Sequence, residues 1–208
     1  MVSRTRLAAI VGRLLDELLP NPTVPLHHTD AFSFLIAVLL SAQCTDERVN
    51  RVTPRLFEKA KTPEQMTALS VEQIQKIIRP CGLSLRKAKA IRQLSKELVQ
   101  RFEGQVPATF HDLESLPGVG HKTASVVLFH MFHLSAFPVD RHVFRSAHRW
   151  HLSAKKTVRG VEEDLKKLFP ESEWGKRALQ IILYARQFCP SRNHDVHACP
   201  ICTEIQKF

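Results

Sequence analysis

A short run with one proline and two glycines, placed between two helix-forming stretches, constrains this chain more than any other part of it. The run reads Leu116-Pro-Gly-Val-Gly-His-Lys-Thr-Ala. Glycine permits backbone dihedrals that other residues resist and has no side chain to hold a ligand away, so Gly118 and Gly120 predict a tight hairpin. Backbone N–H groups at the start of the following helix point outward and can bind an anion. Lys122 stands at that helix start, and the carboxylate of Asp140 follows after a short apolar approach.

Apolar residues recur at helical spacing along almost the whole chain. Capping residues and prolines mark where the helices end. The pattern predicts helices over Arg4–Leu19, Ala31–Gln43, Glu47–Lys59, Pro63–Ala68, Val71–Ile78, Arg86–Phe102, Phe110–Leu116, Thr123–Phe132, Val143–Trp150, Thr157–Phe169 and Trp174–Cys189. No stretch of any length alternates with period two, so we expect an all-α fold without a sheet.

The charge balance is strongly basic. Thirty Lys and Arg against 20 Asp and Glu give a net charge of +10 over 208 residues. Such a chain suits a polyanionic partner, because each neutralised phosphate releases condensed counterions, although charge alone would also fit a merely basic soluble protein. The apolar run Phe32–Leu40 is too short to span a membrane, and the N-terminus lacks a secretory stretch, so no membrane partner is expected. Three of the five cysteines crowd into the last 20 residues, which argues against a disulfide framework and for a reducing, intracellular location such as the cytoplasm.

Two segments carry a resemblance to a known family. Leu116-Pro-Gly-Val-Gly-His-Lys-Thr-Ala and the later Val139-Asp-Arg-His-Val-Phe-Arg resemble the helix-hairpin-helix, Gly/Pro-rich loop and aspartate signature of base-excision DNA glycosylases. More narrowly, they resemble the endonuclease III family, and the similarity runs from about Leu7 to Cys202. The resemblance implies a two-lobed helical fold, with a contiguous six-helix lobe over 24–134 that carries the hairpin. A second lobe would combine 1–23 with 135–208 and end in the Cys-rich segment, and the substrate cleft would lie between the lobes.

The same resemblance implies a bifunctional DNA glycosylase and abasic-site lyase for oxidised pyrimidines. A carboxylate stabilises the positive charge that develops on a sugar as its glycosidic bond breaks, which makes Asp140 a candidate. A primary amine can attack C1′ and form an imine that permits β-elimination, which makes Lys122 the candidate nucleophile. Burial and the helix start would lower the pKa of this lysine, whereas Asp140 would raise it. The sequence does not determine the direction of the net shift. A phosphate-binding lysine is the plainer alternative.

Further residues match family positions that contact DNA. Gln43, in Ser41-Ala-Gln-Cys-Thr-Asp, matches a glutamine that fills the gap left when a base is flipped out of the duplex. Leu83 matches a leucine that wedges into the base stack, although an isolated leucine is more often a core residue. His142 and Arg145 follow Asp140 in the family pattern and would either touch phosphate or cap helices. Gly118 and Gly120 would let the hairpin backbone approach the strand.

The C-terminal cysteines depart from the family pattern. The relatives hold a 4Fe–4S cluster with four cysteines separated by six, two and five residues. This chain offers Cys189, Cys199 and Cys202, with nine residues in the first gap and no fourth cysteine before Phe208. Either His194 or His197 would complete a Cys₃His set, of which we take His197 as the candidate. A cluster could also bind through the three thiolates with a fourth ligand from elsewhere, or the site could hold no metal. The resemblance favours a 4Fe–4S cluster, and ligand counting favours zinc about equally.

Two other classes of function compete with this interpretation. A monofunctional adenine or mismatch-thymine glycosylase would share the fold, but those relatives usually lack a lysine where Lys122 stands. A non-catalytic helix-hairpin-helix module would bind DNA without needing Asp140. The expected partner is damaged double-stranded DNA, and the resemblance implies a monomer.

Overall fold

The computed structural model describes residues 2–208, and this part of the chain is helical without a strand. The prediction of an all-α fold is confirmed. The helices are α1 Arg4–Leu18, α2 Ala31–Ser41, α3 Asp46–Lys59, α4 Pro63–Ala68, α5 Val71–Ile78, α6 Ser84–Phe102, α7 Phe110–Ser115, α8 His121–Phe132, α9 Arg141–Arg149, α10 Val158–Leu168, α11 Trp174–Gln187 and α12 Pro200–Ile205. Short 3₁₀ turns occupy Arg79–Cys81 and Glu171–Glu173.

Local capping chemistry explains most of the helix starts. The side chain of Asp30 accepts the Ser33 N–H and begins α2 with a capping box. The Thr62 and Ser70 side chains likewise accept a backbone N–H at the starts of α4 and α5. A side-chain acceptor at this position satisfies a backbone N–H that has no partner within the helix. These boundaries therefore rest on local hydrogen bonds between residues that are close in sequence.

Several predicted boundaries move by a turn or less. Helix α2 ends at Ser41 rather than Gln43, because Ala42 leaves the helical conformation with ψ 115° and Gln43 follows in a left-handed one with φ 53°. Helix α9 begins two residues earlier than predicted, because Asp140 caps it. Helix α12, which has six residues and begins with a proline, was not predicted. A helix that short shows too few turns for its spacing to be recognised.

The chain divides into two compact units, and one of them is the contiguous segment Pro25–Leu134. This unit contains seven α-helices, α2 to α8, rather than the six that the resemblance implied. Its central helix is α2, which buries nine consecutive residues from Phe32 to Leu40. Helix α6 buries one face, including Ile91, Leu94 and Leu98.

The other unit combines the N-terminal residues up to Val24 with Ser135–Phe208. The predicted boundary between the N-terminal segment and the contiguous unit lay one residue earlier, between residues 23 and 24. The core of this unit is built around the fully buried side chains of Trp150, Tyr184 and Phe137. The cysteines Cys189, Cys199 and Cys202 belong to the same core.

Polar contacts join the two ends of the chain within this second unit. The Arg177 guanidinium of α11 donates to Asp16 Oδ2 of α1 at 2.6 Å and to the Gly12 carbonyl at 2.9 Å. The Gln180 side chain donates to the carbonyls of Leu15 and Leu19. Helix α1 is thereby held against α11, although about 160 residues separate the two helices in sequence.

None of the helices within 2–208 combines the length and apolar character that crossing a bilayer requires.

Candidate nucleic-acid interface and active site

The hairpin between α7 and α8 is tightly packed at one glycine and open at the other. Gly118 has φ +82°, a conformation that favours glycine, and a Cβ there would lie 3.0 Å from the Ala90 Cβ and 3.1 Å from Leu39 Cδ1. Gly120 has an ordinary φ of −103°, and a Cβ there would meet no atom within 4 Å. Gly118 therefore lets the hairpin pack against α2 and α6, whereas Gly120 leaves open space for a ligand backbone.

Lys122 is the second residue of α8, and its side chain is exposed rather than buried. Gly120 occupies the N-cap position and provides no side-chain cap, so a ligand anion can approach the helix start. The neighbouring His121 Nδ1 lies 2.6 Å from Glu114 Oε1 and its ring stacks on Phe110. These contacts tie α8 to α7 and hold the helix start that carries Lys122.

Gln43 and Leu83 are both exposed in the same unit and share a rare backbone conformation. Their φ angles are 53° and 46°, in the left-handed region that is strained for residues other than glycine. Leu83 is 53% exposed, so it is not the core residue that an isolated leucine usually is. Strained residues that the surrounding structure holds in place are typical of functional sites.

A buried lysine, which the sequence analysis did not single out, connects the segments that carry these two residues. Lys87 is only 5% exposed. Its ammonium donates to the carbonyl oxygens of Leu40 at 2.9 Å, Ala42 at 2.8 Å and Cys81 at 3.0 Å. The spacing to Ile91 on the buried face of α6 is the signal that would have revealed it. Burial lowers the pKa of Lys87, and the three carbonyl groups replace the water that a charged ammonium otherwise needs.

Asp140 lies in the other unit, at the N-cap of α9. Its Oδ1 accepts the backbone N–H groups of His142 at 2.7 Å and Val143 at 2.9 Å. Ala136, Phe137 and Val139 just before it are buried. The apolar approach anchors the backbone and the cap fixes the side chain, so a carboxylate is held at the positive end of a helix.

His142 and Arg145 make structural contacts on the same helix. Arg145 Nη2 donates to the Cys189 carbonyl at 2.9 Å and lies 3.3 Å from His142 Nδ1. Burial lowers the pKa of His142, with the Asp140 carboxylate opposing the change. The Arg145 guanidinium thus joins α9 to the end of α11. A phosphate contact by either side chain stays a prediction.

The three C-terminal cysteines come together with His194. The Sγ atoms of Cys189, Cys199 and Cys202 and one ring nitrogen of His194 all lie within 4.8 Å of one another. His197 is exposed and lies outside this group, so the choice of His197 over His194 as the candidate ligand is corrected. Cys44 and Cys81 also lie outside it. Three thiols and an imidazole in one cluster form a donor set that suits a metal centre.

The fold and these features define a class of protein. A profile of the HhH-GPD superfamily base excision DNA repair proteins matches residues 36–171, a range that includes the hairpin, Lys122 and Asp140. The chain is 45% identical over 185 residues to the endonuclease III of Treponema pallidum (strain Nichols). The aligned region covers 89% of this chain and 85% of the relative. The chain belongs to the endonuclease III family of this superfamily.

Solved structures agree with this assignment. A non-covalent complex of endonuclease III with DNA superposes with a TM-score of 0.93 at 36% identity, covering 100% of this chain and 98% of the other. A trapped covalent intermediate of endonuclease III with DNA gives a TM-score of 0.92, also at 36% identity, with 100% and 99% coverage. The predicted family is confirmed.

Proposed function

We propose that this protein is a bifunctional DNA glycosylase and abasic-site lyase that removes oxidised pyrimidines from duplex DNA during base excision repair. The observation that carries the proposal is the position of Lys122, an exposed primary amine in the first turn of the helix that follows the Gly-rich hairpin. A solved relative has been trapped as a covalent intermediate with DNA. An enzyme that forms a covalent bond to its substrate needs a nucleophile, and a lysine supplies one.

In the proposed reaction the Lys122 amine attacks C1′ of the extruded nucleotide. The C1′–N bond breaks, and the pyrimidine leaves with the electron pair and takes up a proton. The nitrogen then loses a proton, and its lone pair forms a C=N bond as the C1′–O4′ bond of the sugar ring breaks. O4′ takes up a proton, and a protonated imine joins the lysine to C1′. The imine acidifies the C2′ proton, whose removal expels the 3′ phosphate by β-elimination and cuts the strand.

Asp140 has two roles in this proposal. Its carboxylate stabilises the positive charge that develops on the sugar as the glycosidic bond breaks. It also accepts the proton that Lys122 releases, directly or through water. The fixed cap on α9 supports the first role, because a charge that is already held in place needs no reorganisation as the reaction proceeds.

Gln43 and Leu83 act on the DNA rather than on the sugar in this proposal. The exposed, left-handed positions of both residues support insertion into the duplex, Gln43 opposite the orphaned base and Leu83 into the stack. The net charge of +10 supports binding to the phosphate backbone. We further propose that the protein acts as a monomer in a reducing, intracellular compartment, in keeping with its five free cysteines.

Borohydride trapping tests the assignment of Lys122. Borohydride reduces the imine to a stable amine, so the unaltered protein will become covalently attached to a duplex that carries one thymine glycol or one abasic site. Lys122→Gln will lose both the trapped species and strand cleavage while it still shifts abasic DNA in a gel. Lys167→Gln, which removes an exposed lysine of α10, is the control and will behave like the unaltered protein. Cleavage and trapping by Lys122→Gln would refute the assignment.

A further inference from the structure

The Cys/His group at the C-terminus is not arranged as a 4Fe–4S cluster requires. In such a cluster each ligand binds a different iron at the corner of a cube, so the ligand atoms stand roughly 6 Å apart. Around a single tetrahedral zinc ion, with Zn–S bonds of about 2.3 Å, they stand about 3.8 Å apart. The four ligand atoms here all lie within 4.8 Å of one another. The residues present therefore fit one ion and do not fit the cluster that the family implies.

We propose that Cys189, His194, Cys199 and Cys202 bind one zinc ion in a closed Cys₃His site. Three thiolates and an imidazole are a common ligand set for structural zinc. The spacing supports this, since Cys199 and Cys202 are separated by two residues and His194 lies midway between Cys189 and Cys199. Four protein ligands leave no open position for a substrate, so the ion has a structural role.

The surroundings of the sulfur atoms suit thiolates bound to a cation. Arg149 Nη1 donates to Cys189 Sγ at 3.1 Å. The Ile201 N–H donates to the Tyr184 hydroxyl at 2.9 Å, which leaves the hydroxyl hydrogen to donate to Cys199 Sγ at 3.3 Å. Such donors orient the ligands and tune the charge on sulfur.

The charges of the proposed zinc site also balance. Three thiolates with Zn²⁺ carry a net charge of −1, and the Arg149 guanidinium offsets it. Cys189 and Cys199 are fully buried and Cys202 is 6% exposed. Buried thiolates without a cation would be strongly unfavourable.

The zinc ion would hold together the end of the chain. Cys189 lies just after α11, whereas Cys199 caps α12 and Cys202 lies within it. Arg145 and Arg149 of α9 donate to the backbone carbonyls of Cys189 and Pro190. One ion therefore cross-links α11, the loop 190–198 and α12, beside a helix whose first residue follows Asp140.

Metal analysis of the full-length protein tests the proposal. The protein is purified without oxygen from iron-supplemented cells, so that oxidative loss of a cluster cannot imitate a zinc site. We expect about one zinc per chain, no acid-labile sulfide and no broad visible absorption. Replacement of zinc by cobalt will produce the intense d–d bands of tetrahedral cobalt with thiolate ligands. Four irons with sulfide, a single iron, or no metal would each overturn the proposal.

Matched histidine variants test the ligand set. His194→Ala will lose zinc to a chelator more readily than the unaltered protein, by more than the roughly 10- to 100-fold that loss of an outer-shell partner costs. His194→Cys will keep one zinc, because a fourth thiolate completes the site. His197→Ala, an exposed neighbour outside the group, will keep it as well. Equal retention of zinc by His194→Ala and His197→Ala would exclude His194 as a ligand.

The zinc site and the proposed catalytic function can be tested independently of each other. Zinc content is measured independently of activity, and Lys122→Gln will retain its zinc although it cleaves no abasic DNA. Failure of trapping with zinc present would count against the catalytic assignment alone. A cluster in an active lyase would count against the zinc site alone.

Discussion

At the scale of single residues, Asp140 combines two requirements in one side chain. Its Oδ1 caps α9 by accepting two backbone N–H groups, and the proposed reaction needs its negative charge. A capping interpretation and a catalytic one are therefore not alternatives. The cap holds the carboxylate in a fixed orientation, and a fixed charge is what electrostatic stabilisation of a transition state requires.

Two substitutions at this position separate the cap from the charge. An asparagine side chain caps a helix nearly as well as an aspartate, so Asp140→Asn will change the free energy of unfolding by only a few tenths of a kcal/mol. Its rate of base excision will fall by about 100-fold or more, because the charge is gone. Asp140→Ala will lose the charge and also about 1 kcal/mol of stability. Urea unfolding measures the change in stability, and single-turnover excision of thymine glycol measures the change in rate. If Asp140→Asn excised the base at the rate of the unaltered protein, the negative charge would not be needed for the reaction.

The sequence marks candidate residues for the chemistry but does not indicate which polar residues are buried. Lys122 and Asp140 stand out because a Gly-rich hairpin and an apolar approach mark them. Lys87 does not, because its role depends on carbonyl groups that come from residues 6 to 47 positions away in sequence. The sequence also could not show which of His194 and His197 lies beside the cysteines, because this depends on the path of an irregular loop rather than on spacing.

At the scale of helices, Lys87 joins the end of α2 to the turn before α6. Leu40 and Ala42 precede Gln43, and Cys81 precedes Leu83. One ammonium thus fixes the backbone next to both residues that take left-handed conformations. Helical spacing and capping signals placed the predicted helix boundaries within two residues of the observed ones, but they carry no information on how two loops are held together.

Replacing this lysine will therefore affect stability and DNA binding together. Lys87→Met keeps much of the apolar chain but leaves three buried carbonyl groups without their donor, and we expect a loss of about 2–4 kcal/mol in the free energy of unfolding. Affinity for abasic duplex will also fall at temperatures where the variant is fully folded, because Gln43 and Leu83 lose their fixed positions.

The control is Lys89→Met, which removes the same charge from an exposed position of α6. It will leave stability within about 0.5 kcal/mol of the unaltered protein. Urea titrations and fluorescence anisotropy with labelled abasic DNA give the two readouts. Equal losses of affinity in both variants would show that only the net charge matters.

At the scale of the whole molecule, the second unit is assembled from both ends of the chain. The resemblance to a family implied this discontinuity, and helical periodicity alone could not have shown it. The contacts of Asp16 with Arg177 and Lys176 make the connection. Hydrogen bonding to Arg177, and secondarily to Lys176, holds the pKa of Asp16 well below its usual range, although burial opposes this.

Stability will depend on pH through this contact. A carboxyl group whose pKa is lower in the folded than in the unfolded state stabilises the fold above its unfolded pKa of about 3.9 and loses that effect as the pH falls. Asp16→Asn will therefore be less stable than the unaltered protein at pH 7, by about 1–3 kcal/mol, since Asp16 is partly exposed to solvent. The difference will shrink below about pH 4.

Glu17→Gln provides the comparison, because Glu17 forms an exposed pair with Arg13 on the same helix. Its effect on the free energy of unfolding will stay below about 1 kcal/mol at every pH. Urea midpoints at several pH values between about 3 and 7 measure both variants across the range in which this carboxyl group begins to be protonated in the unfolded state. A difference between Asp16→Asn and the unaltered protein that persists unchanged at the acid end of this range would rule out the ionised pair as its cause.

The pairing of α1 with α11 also sets an order of events during translation. Helix α1 leaves the ribosome before α11, because Arg177 and Gln180, which bind α1, are made about 165 residues later. Pro25–Leu134 is contiguous and can form its core as soon as it emerges. The buried residues Leu7, Val11 and Leu15 of α1 therefore lack these packing partners until α11 has been synthesised.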